Sequence, residues 1–291
     1  MANIGFIGLG HMGLPMAMNL LQAGHIVTGY DLNPEALKEL VAAGGRAAGQ
    51  LLDIAQNNEF IFTMLQSGAQ VEQVCLGDNG LYAHAHHLMH IDCSSIDVPT
   101  ARRLHHFAAE KRLLALDAPV SGGVIGAQNA SLTFMVGGRD YDLEKARPIL
   151  EQLGKKIIHA GAAGSGQAAK ICNNMILGAT MAAVCESFSL AQGLGLSPEK
   201  LLEVVNSSSG QCWVTHYYAP LPDLMPNVPA NQDYQPGFTV NMMLKDLLLG
   251  QTSATEVGIH TPVSERATFL YQQFKDAGYG HLDFSAIIKM I

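Results

Sequence analysis

Residues 4–13 read Ile4-Gly5-Phe6-Ile7-Gly8-Leu9-Gly10-His11-Met12-Gly13, and the fold follows from this stretch. A short apolar run ends in a G-x-G-x-x-G turn, and a helical pattern then runs to Gly24. The spacing alone is a weak signal; following a strand and opening a helix, it gains weight. Gly8 permits the tight turn, Gly10 lets a pyrophosphate approach the backbone, and Gly13 lets the helix pack close to the strand. The helix opening, with His11 and Met12, offers free N–H groups to an anion. The alternative is a glycine-rich turn that binds nothing. Asp31 argues against that alternative. It stands 18 residues past Gly13, where the second apolar run (Ile26–Tyr30) ends. A carboxylate there accepts both ribose hydroxyls of NAD and repels a 2′-phosphate, and Leu32-Asn33-Pro34 supply no Lys or Arg. NAD is therefore expected over NADP. Asp31 is also placed to cap a helix starting near Pro34.

Outward from this turn, short apolar runs recur at Phe60–Met64, Leu88–Asp92, Leu114–Ala118 and Ile157–Ala160. Helical stretches such as Pro34–Ala43, Val98–Arg112 and Tyr141–Leu153 lie among them. Strands alternating with helices predict βαβ units, a mostly parallel sheet and helices on both faces. Near the GAAGSG segment (161–166) the character changes. Residues 167–192 read as one long apolar helix, long enough to bridge two domains, and further helices are expected at Pro198–Asn206, Val240–Glu256, Pro262–Ala277 and from Phe284. Tyr217–Gly237 holds five of the twelve prolines and reads as irregular loop. The expected architecture is an α/β dinucleotide-binding domain over residues 1–163 and an all-α domain over residues 164–291.

At 291 residues the chain has room for two domains. With 48% hydrophobic and 14% charged residues it is neither disordered nor supercharged. Its formal charge of −8 offers no general grip on nucleic acid. Cys75, Cys93, Cys172, Cys185 and Cys212 are odd in number and widely spaced, which predicts buried free thiols in a reducing compartment. Glycines break the N-terminal apolar run, so no signal peptide is expected, and the apolar stretch Met175–Cys185 is too short to span a bilayer. The expectation is a cytoplasmic protein without membrane or nucleic-acid partners.

Ligands in open parallel sheets sit beyond the carboxyl ends of the strands. Met64-Leu65-Gln66, Asp92-Cys93-Ser94-Ser95 and Pro119-Val120-Ser121-Gly122-Gly123 follow three of them. Each alone reads as an ordinary turn; together they describe a cleft. Ser121-Gly122-Gly123 is rich in backbone N–H groups and suits a carboxylate. Lys170 and Asn174, at i and i+4, share one face of the long apolar helix. A lysine there is expected to be partly desolvated, which lowers its pKa and makes it a usable acid and base, unless its head reaches water. Lys245 either pairs with Asp246 or reaches the cleft. Six histidines (His84, His86, His87, His90, His105, His106) crowd 23 positions without ligand spacing, which predicts surface imidazoles and no metal site.

These stretches carry a family resemblance. Gly8–Gly13 with Met16–Leu20 and Gly24-His25 resembles the N-terminal signature of the 3-hydroxyisobutyrate dehydrogenase and β-hydroxyacid dehydrogenase family. So do Asp92–Ile96, Asp117–Gly123, Leu132–Gly138, Gly164–Asn174, Ser208–Trp213, Tyr234–Phe238 and Lys245–Leu247, which together span nearly the whole chain. The resemblance implies a Rossmann-type domain joined by a long helix to an all-helical domain, a homodimer or homotetramer, and NAD(P)-dependent oxidation of a small 3-hydroxy acid to its semialdehyde. It implies that Lys170 is the catalytic lysine and that Asn174, Ser121, Gly122 and Gly123 bind substrate. It further implies that Leu65, Gln66, Gln70, Ser95 and Lys245 contact the dinucleotide. The chain departs from the family where Gln66 replaces a usual proline, where Ser95 replaces a frequent Asp-x-Ser-Thr serine-threonine pattern, and at Ala130-Ser131. 3-Hydroxyisobutyrate is the expected substrate. Tartronate or succinic semialdehyde reduction and serine oxidation are alternatives within the family; imine reduction on the same scaffold is a further rival, but imine reductases of related families tend to lack the lysine at the Lys170 position. A non-catalytic dinucleotide-binding module is the alternative of another class, and the presence of Lys170 speaks against it.

Overall fold

The computed structural model describes residues 1–85 and 87–291, so the reading of His86 lies outside the described residues. The chain divides into two compact units, Met1–Lys170 and Ile171–Ile291.

The described residues of the first unit form a nine-stranded sheet: β1 (Asn3–Ile7), β2 (Ile26–Tyr30), β3 (Arg46–Ala47), β4 (Phe60–Thr63), β5 (Met89–Asp92), β6 (Leu114–Asp117), β7 (Val120–Ser121), β8 (Leu132–Gly137) and β9 (Gly154–Gly161). The first six are parallel in the order β3-β2-β1-β4-β5-β6. The direction of winding therefore reverses between β1 and β4, the position where open α/β sheets bind ligands. Beyond β6, strand β8 pairs antiparallel with β6 and β7, and parallel with β9. Strands β3, β7 and β8 are additions to the six apolar runs that the sequence pattern predicts. Helices α1 (Gly13–Gln22), α2 (Pro34–Ala42), α3 (Leu51–Asn57), α4 (Gly68–Leu76), α5 (Leu81–His84), α6 (Val98–Glu110), α7 (Gly123–Gln128) and α8 (Asp140–Leu150) fill the connections. Two apolar clusters form: Ile4, Phe6, Phe62, Ile91 and Leu116 belong to one, and Ile7, Ile61, Val71, Leu88 and Ala115 to the other. Strands covered on both faces bury every residue, as all four positions of β5 do.

Helix α9 (Ser165–Gly193) begins in the first unit and continues in the second, which also holds α10 (Pro198–Asn206), α11 (Trp213–Tyr217), α12 (Val240–Glu256) and α13 (Pro262–Phe274). Met181, Cys185, Phe188, Met243, Leu247, Tyr271 and Phe284 build its core. A Cβ on Gly178 would press on Met243 and Leu247, and one on Gly250 on Met175, so these glycines let α9 and α12 approach closely. The helix expected over Pro262–Ala277 ends at Phe274, and a π-turn with Gly278 at positive φ follows. By length and composition α9 is apolar enough to cross a membrane, which the shorter stretch taken from the sequence was not. Its Ile171, Met181, Cys185 and Phe188 are buried against protein.

Candidate active site

The glycine turn is built from three different constraints. Gly8 has φ +90°, and a Cβ on it would collide with the Met64 carbonyl at the end of β4. A Cβ on Gly13 would collide with the Gly8 carbonyl, so α1 packs on β1 only because this residue lacks one. Around Gly10 a Cβ would meet nothing within 4 Å. Packing therefore explains Gly8 and Gly13 and leaves the face of Gly10 open, as a cradle for a pyrophosphate requires. The first N–H groups of α1, near His11, Met12 and Gly13, lie beyond reach of intrahelical acceptors. These residues fit a dinucleotide.

Asp31, one residue beyond β2, closes on this turn. Its Oδ2 accepts the Leu9 N–H at 2.6 Å and its Oδ1 the Asn33 N–H at 2.7 Å. A carboxylate has about four acceptor positions, so two remain for a ribose diol. The helix-capping role read for Asp31 belongs to Asn33, whose side chain accepts the Glu35 N–H at 3.1 Å.

The ends of β4 and β5 are tied together. The Leu65 N–H donates to Ser94 Oγ at 2.9 Å, and the Ser94 N–H to Asp92 Oδ1 at 3.1 Å. Gln66, where the resembling family has proline, uses the N–H that proline lacks: it donates to Gln70 Oε1 at 3.0 Å. Ser67 then caps α4 through the Gln70 N–H. Ser95 is half-buried beside Ile96, whose N–H donates to Gln167 Oε1 at 3.1 Å.

Gln167 is the residue through which the start of α9 meets these strand ends. Its Nε2 donates to the Ser94 carbonyl at 2.7 Å, and its own N–H to Asp117 Oδ2 at 3.0 Å. Asp117, at the end of β6, also accepts the Gly164 N–H at 2.8 Å and pairs with His105 at 2.9 Å. Lys170 lies on the next turn of α9 and is buried, 9% exposed. Ser121 ends β7 and Gly122 and Gly123 open α7, with φ +130° and +61° that favour glycine. Asn19 of α1 donates to the Ala127 carbonyl of α7 at 2.7 Å and ties together the two helices that follow the glycine turns. The structure thus gathers the glycine turn, Asp31, Leu65, Gln66, Gln70, Ser95 and the base of the Lys170 helix around the strand ends of one unit.

In the second unit Asn174 is buried and held. Its Nδ2 donates to Asp246 Oδ2 at 2.5 Å, and its Oδ1 accepts from Asn173 at 3.0 Å. Asp246 also lies 3.5 Å from the Lys245 ammonium, so Lys245 makes the ion pair that was one of its two readings. Asp246, Asp117, Gln167 and Ser94 escaped assignment from sequence. Asp117 and Asp246 carried a signal, a carboxylate inside an apolar run, whereas Ser94 and Gln167 stand in polar or glycine-rich stretches and carried none.

Two of the histidines expected at the surface lie inside the protein. His90 is buried, because β5 is covered on both faces, and it bonds Thr63 at 2.9 Å and Tyr82 at 2.7 Å. His105 is mostly buried against Asp117. His87 and His106 are exposed. Of the five free cysteines, Cys75, Cys93 and Cys185 are buried and burial pushes their thiols up, whereas Cys172 is exposed, against expectation. No group of three or more metal-ligating side chains occurs among the described residues.

Residues 3–161 match the NAD binding domain of 6-phosphogluconate dehydrogenase, and residues 164–291 match the NAD-binding domain model of NADP-dependent 3-hydroxyisobutyrate dehydrogenase. The chain is 46% identical to 3-hydroxyisobutyrate dehydrogenase of Pseudomonas aeruginosa, over 100% of this chain and 98% of that protein. It belongs to the 3-hydroxyisobutyrate dehydrogenase family. Another family relative, NAD-dependent L-serine dehydrogenase of P. aeruginosa, is 44% identical over 100% of this chain and 98% of its own. The solved 3-hydroxyisobutyrate dehydrogenase of Mycobacterium tuberculosis with L-serine superposes at TM-score 0.95 with 43% identity, covering 100% of this chain and 99% of that one. The imine reductase of Myxococcus stipitatus, at TM-score 0.67 and 18% identity, shares the fold alone.

Proposed function

We propose that this member of the 3-hydroxyisobutyrate dehydrogenase family oxidises a small 3-hydroxy carboxylate to its semialdehyde with NAD, 3-hydroxyisobutyrate being the substrate best supported. The observation that carries the reading is Lys170, a buried lysine one turn past Gln167, whose amide is bonded to the loop after β5. NAD, when bound, supplies the hydride acceptor. Lys170 takes the proton from the substrate hydroxyl in oxidation and returns it in reduction. The N–H groups of Ser121, Gly122 and Gly123 hold the substrate carboxylate. Asn174, on the same face of α9 as Lys170, orients the hydroxyl, and Asp246 fixes the amide that does so. Gly8, Gly10, His11, Met12, Gly13, Asp31, Leu65, Gln66, Gln70 and Ser95 hold the dinucleotide, and Lys245 joins them on the family resemblance. The carboxylate of Asp31, with no cation at positions 32–34, supports NAD over NADP.

L-Serine is the second reading, favoured by the relative of that activity at 44% identity and by the structure solved with L-serine. Exposed apolar side chains of the second unit, among them Ile176, Leu190, Leu194 and Val263, support assembly as a homodimer or homotetramer. Five unpaired cysteines support a reducing, cytoplasmic setting.

The test is NADH formation from a panel of 3-hydroxy acids, with NAD and NADP in parallel. Lys170→Ala is expected to lower kcat by roughly 10²–10⁴-fold while NAD still binds. Near-normal kcat in that variant rejects the role of Lys170. A higher kcat/KM for L-serine than for 3-hydroxyisobutyrate selects the second reading.

A further inference from the structure

A buried chain of hydrogen bonds runs behind the strand ends and has no part in the chemistry above. Thr63, the last residue of β4, donates its hydroxyl hydrogen to Asp92 Oδ1 at 2.7 Å. With that hydrogen spent, Thr63 Oγ1 can only accept from His90 Nε2, 2.9 Å away. Burial drives the His90 pKa down to about 3, so the ring is neutral and carries its one N–H on Nε2. His90 Nδ1 is then an acceptor, and the Tyr82 hydroxyl donates to it at 2.7 Å. The chain thus has one direction, Tyr82 to His90 to Thr63 to Asp92, and it ends on a carboxylate.

From Asp92 the same oxygen reaches forward. Oδ1 accepts the Ser94 N–H, Ser94 Oγ accepts the Leu65 N–H, and the Ser94 carbonyl accepts from Gln167. One carboxylate oxygen therefore sets the position of both loops, after β4 and after β5. We propose that Asp92 is a positioning residue of the dinucleotide site, holding the Leu65–Gln66 and Ser94–Ser95 segments through Thr63 and Ser94. The proposal rests on the reading that these segments contact the dinucleotide.

Charge on Asp92 is what the arrangement uses. An ionised acceptor makes stronger bonds than a neutral one, and a protonated Asp92 would bind the Ser94 N–H and the Thr63 hydroxyl more weakly. Burial, opposed by the bonds from Ser94 and Thr63, leaves the Asp92 pKa raised to about 6. The titratable groups facing it are His90 on its own strand, Cys75 of α4, Tyr82 of α5, Asp117 of β6, His105 of α6 and the neighbouring Cys93. Acidification through this range is expected to loosen NAD binding in the wild type.

The experiment is NAD affinity against pH, by titration of the full chain, for wild type, Asp92→Asn and the control Asp31→Ala. Asn keeps an Oδ1 acceptor and every neighbouring titratable group, so a difference between the two profiles belongs to Asp92. The wild-type Kd is expected to rise at least roughly threefold from about pH 7.5 to about pH 5.5. The Asp92→Asn Kd should be moderately raised throughout and flat across that range, while Asp31→Ala binds poorly at every pH. If Asp92→Asn reproduces the wild-type acid limb, the proposal is wrong although the cofactor site stands. If Asp31→Ala binds as the wild type does, the cofactor site lies elsewhere and both readings fall.

Discussion

Asp92 and Asp117 face each other across β5 and β6 in the same register, yet they live differently. Both are buried, and both end their strands. Asp117 is surrounded by donors: the Gly164 and Gln167 N–H groups and the His105 ring. Asp92 spends one oxygen on Thr63 and Ser94, while its Oδ2 has no hydrogen-bond partner among the described residues. Burial lifts its pKa to about 6, and the nearby Asp117 adds to the lift. Position in a sheet therefore does not decide what a carboxylate costs; the number of donors aimed at it does. The well-supplied carboxylate anchors the start of the helix that carries Lys170. The undersupplied one sets two loops, at a cost to stability.

Removing the anchor is the severest way to break this contrast. Asp117→Ala strips acceptors from two backbone N–H groups and leaves the His105 ring without its partner. Each orphaned buried donor costs about 1–3 kcal/mol, so a loss of about 4 kcal/mol is expected in denaturant unfolding. Asp117→Asn should not rescue it, because its amide nitrogen would meet a donor where the second oxygen met one. Unfolding midpoints of both variants within error of the wild type would remove Asp117 from its anchoring role.

Asp92→Asn is expected to act in the opposite sense. A carboxyl raised from 3.8 to about 6 favours the protonated folded state, so its stabilising contribution is complete below about pH 4 and is lost as pH rises through about 6. At neutral pH the ionised Asp92 costs up to about 3 kcal/mol. Asp92→Asn should therefore be more stable than the wild type above about pH 6, with the gain fading toward about pH 4. A stability difference that stays constant with pH would show that Asp92 titrates normally.

How far the sequence carried can be judged at these residues. The strands bearing both carboxylates were legible, since short apolar runs between helical patterns predict a parallel sheet and the β1–β6 order obeys that rule. β7 and β8 were not, because a two-residue strand has no pattern and Leu132–Gly137 joins the sheet antiparallel, outside the βαβ rhythm. Gly8, Gly10, Gly13 and Asp31 could be named because a fixed local spacing carries their geometry. Ser94, Asp117, Gln167 and Asp246 could not, because their partners lie up to 73 residues away and no local spacing encodes the contact. His90 was misread for a related reason: a polar residue in a short apolar run looks like a turn until both faces of the strand are known to be covered.

The smallest expected effect concerns the one loop residue where this chain departs from its family's usual proline. Gln66 donates its N–H to Gln70, so the side chain of α4 is pinned to the turn by a bond that proline cannot make. Gln66→Pro removes that donor and stiffens the turn, and the two effects oppose each other: about 1 kcal/mol lost with the bond, and about 0.4–1 kcal/mol gained from a less flexible unfolded chain. Stability should consequently change little, while Gln70 is released from the loop that follows β4. If Gln70 contacts the dinucleotide, NAD affinity shifts several-fold in Gln66→Pro, and Gln70→Ala in the same background adds nothing further. Additive effects of the two substitutions would show that Gln70 acts independently of the loop.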